Sequence, residues 1–93
     1  MKLTHQEIGC MIFAAQTDKT GKEARKFQFI DLGLASEIGK KVQTHVKDGQ
    51  IAAGEYDLDF STEEKAKLLE WVKEHEWTMG DAETAISLSD KLS

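Results

Sequence analysis

Proline is missing from this 93-residue chain, where average usage of about 5% would supply about four or five. No residue therefore has its φ locked or its amide donor deleted, and helices can run without interruption. Cysteine is nearly missing too. The single Cys10 has no partner for an internal disulfide, and among Met11, Ile12 and Phe13 it reads as a small buried hydrophobe suited to a reducing compartment. Long apolar runs are lacking: the longest, Cys10 to Ala15, falls far short of the roughly 20 residues that span a bilayer. Met1 to Gln6 has no apolar core of a signal peptide. These absences lead us to expect a cytoplasmic protein that makes no membrane contact. Nucleophile elbows, phosphate-cradling glycine loops and dinucleotide fingerprints are absent as well, so an enzyme is not expected.

Hydrophobic residues make up 40% and charged residues 31%, an ordinary globular mixture for one domain spanning 1–93. The net charge of −5 is unevenly spread. Residues 1–50 hold eight Lys/Arg against six Asp/Glu, whereas residues 51–93 hold four against eleven. The first half is thus mildly basic and the second strongly acidic.

Helical signals come in two matching sets. Thr4 to Glu7 forms a capping box flanked by Leu3 and Ile8 at the staple positions. Ile8, Met11, Ile12 and Ala15 follow at helical spacing, and the helix should end near Gln16 or Thr17. A polar loop, Thr17 to Lys22, comes next. Phe27-Gln28-Phe29 alternates as a short extended piece, and Asp31 is placed to cap a second helix with an apolar face of Leu34, Ala35, Ile38, Val42 and Val46. Asp48-Gly49 should close that helix, with the glycine left-handed.

The second half repeats this plan. Ser61 to Glu64 offers another capping box after Phe60, and Leu68, Leu69 and Val72 match Met11, Ile12 and Ala15. Trp77 to Asp81 echoes Phe27 to Asp31, and Ala85, Leu88 and Leu92 match Ala35, Ile38 and Val42. The offset is 57 residues at the caps and 50 at the aspartates. Half-repeats of approximately 1–49 and 55–93 follow, joined by a connector of small residues. Glu55 to Phe60 alternates as an extended segment. The expected fold is all-α, four helices in two helix–loop–helix halves, with extended pieces at 27–29 and 56–60 as candidates for a minimal two-stranded pairing.

Helix–loop–helix pairs invite comparison with calcium-binding EF-hands, but the loop chemistry fails. Counting from Asp18, the third, fifth and sixth positions are Thr20, Lys22 and Glu23, where oxygen ligands and glycine are required. His5, His45 and His75 lack metal-ligand spacing; His45 and His75 read as late-turn residues that favour a helix C-terminus. No metal or cofactor is expected.

The acidic second half is the least average feature. Glu63, Glu70 and Glu74 lie among eight carboxylates between residues 55 and 76. Such a face either keeps the protein soluble or imitates a phosphate backbone. Lys19, Lys22, Arg25 and Lys26, with Lys40 and Lys47 on the second helix, form the best basic cluster, although the net charge opposes phosphate. Trp71 suits partial core burial, and Trp77 an interface anchor.

Helix one is apolar nearly all round, with Cys10, Phe13 and Ala14 opposite its main stripe. It must therefore either run through the centre or meet a second copy. The leading functional expectation is a non-enzymatic protein–protein interaction or regulatory module. A homodimer with Phe13 near its two-fold axis is the oligomer we expect, and Phe13, Trp77, Glu63, Glu70 and Glu74 are the candidate partner-binding residues. The runner-up is an acidic inhibitor that occupies a nucleic-acid-binding protein, and the third reading is weak direct nucleic-acid binding.

Overall fold

Both capping boxes form. In the computed structural model, which describes residues 1–93, the Thr4 hydroxyl accepts from the Glu7 amide at 3.1 Å while Glu7 accepts from the Thr4 amide at 2.8 Å. This starts helix α1 (His5–Gln16) directly after a short strand, β1 (Lys2–Thr4). Ser61 and Glu64 repeat the exchange at 3.1 and 2.7 Å and start α3 (Thr62–Glu74). Each box satisfies two of the amide donors that a helix start leaves open.

The remaining helices are α2 (Phe29–Gln43) and α4 (Ala82–Leu92), the latter entered through a 3₁₀ turn at Met79–Asp81. Gln28 and Thr78 precede these two segments with nearly the same extended backbone, φ/ψ of −72/152 and −76/160. They stand at the offset of 50 expected from the sequence. Contrary to the expectation, Asp31 does not cap α2; it occupies the third helical position, its amide donating to the Gln28 carbonyl at 2.9 Å. Nothing between Lys22 and Leu32 forbids an earlier start, and an acid in the first turn suits the helix dipole.

Helix α2 also ends sooner than the Asp48-Gly49 reading requires. Asp48 (φ 53) and Gly49 (φ 75) instead form a two-residue turn closed by mutual bonds between Lys47 and Gln50 at 2.8 and 3.0 Å. Left-handed φ at both central positions is the signature of a hairpin turn. Strand β2 (Glu55–Asp57) pairs antiparallel with β1, Leu3 opposite Tyr56. The expected pairing with residues 27–29 is therefore corrected: Phe29 is already helical, and the partner is the chain's N-terminal stretch. Three residues with one buried side chain gave no alternation to read.

Helix α1 lies at the centre, packed against α3, α4 and β1. Leu3, Ile8, Met11, Leu68 and Leu88 are the largest side chains fully removed from solvent, each burial stabilising by about 1.5–3 kcal/mol. Cys10 and Ala14, assigned to the outer side of α1, are buried as well. The chain supplies their cover itself. Helix α4 contacts both α1 and α3, whereas α2 leans on α3 and touches α1 little. No helix is long and apolar enough to cross a membrane.

Candidate functional site

The two capping glutamates do more than start helices. Lys91 on α4 donates to Glu7 of α1 at 2.7 Å, joined by the Ser87 hydroxyl at 2.6 Å. Lys41 on α2 donates to Glu64 of α3 at 2.5 Å. Each half thus contributes a buried carboxylate and each half caps the other's with a lysine. Glu7 and Glu64 stand 57 apart and Lys41 and Lys91 stand 50 apart, matching the two offsets of the repeat. Burial works against both charges, but the lysine bonds and the cap bonds outweigh it and hold both carboxyls below the usual glutamate range.

Because α2 leans away from α1, its surface differs from that of α4. Phe29 is 90% and Ile30 83% exposed, with Leu32 also in solvent. On a helix, Phe29 and Leu32 are neighbours at i and i+3, whereas Ile30 points about 100° round the helix from Phe29. Met79, which matches Phe29 at the offset of 50, is likewise exposed. Between α2 and α1 a cleft of about 610 Å³ opens, lined by buried Met11, Ile38, Val42 and Trp71 and by half-buried Ile12 and Phe27.

Protein-family models, curated proteins and solved structures give no match to this chain.

The residues singled out in the sequence are not gathered into one site. Glu74 is bound by Arg25 at 2.6 Å, and Glu70 by Lys67 at 3.2 Å; Glu70 beside it holds Lys67 above the usual lysine range. Glu63, at the start of α3, is exposed and forms no ion pair. Phe13 and Trp77 belong to an aromatic cluster around His75. The ring centroids of Phe13 and Trp77 lie 4.9 and 4.8 Å from that imidazole, and the Trp77 indole donates to the Val72 carbonyl at 2.9 Å. Phe13 keeps 42% exposure.

His75 is buried at the C-cap of α3, 2.9 Å from the Thr17 hydroxyl at the C-cap of α1. The two helix ends therefore meet. Gly21 closes over this cluster: its φ is +74, and a Cβ there would lie 2.7 Å from the Phe13 ring, so only glycine fits. His45 lies beyond the end of α2, its ring tilted against Tyr56 with centroids 5.1 Å apart, which corrects its late-turn placement. No group of His, Cys, Asp and Glu is gathered as a metal would need.

The basic cluster loses its central member. Arg25 turns inward, its Nε donating to the Ala14 carbonyl at 3.0 Å and its guanidinium lying 5.2 Å over Trp71. Trp71 is buried, as its spacing implied.

The exposed start of α2 is not legible when Asp31 is taken as the cap of that helix, because Phe29 and Ile30 then fall outside it. Started at Phe29, a helical wheel sets Phe29 and Gly33 opposite the Leu34–Ile38 face with Ile30 at its edge, and the outward apolar positions become legible. The crossed lysines had a signal as well, in the repeated offset of 50.

Proposed function

We propose that this chain is a non-enzymatic protein–protein interaction or regulatory module that works through the exposed apolar start of α2. One observation carries the reading. Phe29 and Ile30 are consecutive bulky apolar residues at 90% and 83% exposure on a regular helix. Single apolar residues are normal on surfaces, but three large ones exposed within the first four residues of a helix are a usual mark of a contact surface. Large apolar side chains at a patch centre also supply most of the affinity in protein interfaces.

The acidic-mimic reading draws support from the −7 charge of residues 51–93. That support is reduced by the ion pairs that neutralise Glu70 and Glu74 within the chain. A homodimer rests on the remaining exposure of Phe13; the outer side of α1 no longer argues for one, since Cys10 and Ala14 are covered.

The test is affinity capture with three baits: the wild type, Phe29→Ser/Ile30→Ser, and Glu63→Lys/Glu70→Lys/Glu74→Lys. A partner held by the wild type and by the lysine variant, but lost by the serine variant, supports the α2 reading. The reverse pattern supports the acidic face.

A further inference from the structure

Phe13 and Trp77 have a second neighbourhood besides His75. Both line a pocket of about 380 Å³ between α1 and the start of α4, together with Gly9, Gly80 and Asp81. His75 is buried, touches both rings and stays out of that lining. The centroids of the two rings lie 6.3 Å apart with their planes at 56°, so the rings make a corner and not one flat wall. The glycines leave the mouth open. A Cβ at Gly9 would meet nothing within 4 Å, and one at Gly80 only the Thr78 hydroxyl at 3.9 Å. Glycine inside a helix is destabilising relative to alanine, and at Gly9 no packing within the chain requires it.

One charged side chain lines the pocket, that of Asp81. It stands at the N-cap of α4 yet makes no cap bond, and its side-chain partner is the Thr78 hydroxyl at 3.3 Å. No cation pairs with it. The Cys10 thiol, which shares the lining, is raised by burial and then by the charge of Asp81, so that charge is felt inside the pocket. The positive end of α4 offsets about half a charge, less than the full charge of the carboxylate.

These walls select the occupant by chemistry. An anion would meet Asp81, and a neutral apolar group would gain nothing from it. An organic cation gains from both parts, because a cation within about 6 Å of a ring centroid is attracted by the negative face of the ring. A quaternary ammonium has no N–H group to satisfy. It can therefore leave water for walls that are chiefly rings, glycines and a buried thiol. The volume falls within the range of about 300–1,000 Å³ typical of small-molecule sites.

We infer that the pocket between α1 and the start of α4 binds a quaternary ammonium head group, its methyl groups against Phe13 and Trp77 and its charge toward Asp81. This goes beyond the interaction reading and does not depend on it.

Choline is titrated into the isotope-labelled full-length protein and followed by the amide shifts of Gly9, Gly80 and Asp81 and the indole shift of Trp77. Saturation at one molecule per chain is expected. The neutral analogue, in which a tert-butyl group replaces the trimethylammonium, should bind about fivefold more weakly or worse. Asp81→Asn should weaken choline about threefold or more and leave the analogue unchanged. Gly9→Leu, which fills the mouth, should abolish binding with the helical circular dichroism retained. Phe13→Leu, which keeps apolar bulk but removes the ring, should weaken choline about threefold. A peptide bearing trimethyllysine, titrated alongside, separates a side-chain source of the head group from a free one, the tighter ligand naming the source. Absence of saturable shifts with either ligand overturns the proposal. So does equal binding of choline and its neutral analogue, or choline binding that the folded Gly9→Leu variant retains.

Discussion

Glu7 and Lys91 meet at 2.7 Å across the interface between the two halves, and Glu64 and Lys41 repeat the contact in the opposite sense at 2.5 Å. Both carboxylates are buried, and both belong to capping boxes. The halves are thus held together by the residues that start their first helices. Removing a lysine leaves a buried carboxylate with fewer donors, an expensive state. Lys91 is itself partly exposed, so solvent screens part of the loss. Lys91→Met and Lys41→Met should each destabilise by about 1–2 kcal/mol, lowering the thermal midpoint by about 4–15 °C. Lys40→Met, which breaks only the exposed pair with Glu37, should change stability by less than about 0.5 kcal/mol. Denaturant titration of the three variants checks this.

The same pairs set an acid limit. Both carboxyls are lowered in the folded state, so the unfolded chain binds their protons more readily. Their contribution is fully present above the unfolded glutamate value of about 4.3. It is lost as pH falls through the lower folded values. Stability measured against pH should therefore fall steeply below about 4.3. Glu7→Gln/Glu64→Gln should flatten that fall.

Cys10 should be chemically quiet. Burial raises its thiol above the usual range, and the negative charges of Asp81 and Glu7 add to the effect, so little thiolate exists near neutral pH. Iodoacetamide should leave the native protein unmodified over a period that fully alkylates it in urea. Rapid alkylation of the native form would show that α1 opens readily.

Much of this fold was legible in the sequence because its signals are local. Thr4 with Glu7 and Ser61 with Glu64 announce helix starts, and the Leu68–Val72 spacing announces a buried face. The failures lie where tertiary contacts decide. Three residues of β1 carry no readable alternation, so their pairing with β2 was missed. Asp31 has the chemistry of a cap, yet as a first-turn acid it serves equally well and lies 3.7 Å from Lys67. Glu70 pairs with Lys67 three residues earlier on the same helix, a local ion pair legible in the sequence, whereas the partner of Glu74 comes from the distant Arg25 loop. Only the fold brings Arg25 to Glu74. The exposed start of α2 was hidden by a three-residue difference in one helix boundary, Gln28 rather than Asp31 standing at the cap.

The most direct test of the interaction reading is residue-resolved. Amide shifts of the isotope-labelled protein are followed while the captured partner is added. The largest changes should fall on Gln28 to Leu34, centred on Phe29 and Ile30. Changes centred on Glu63, Glu70 and Glu74, with the start of α2 unmoved, would contradict it.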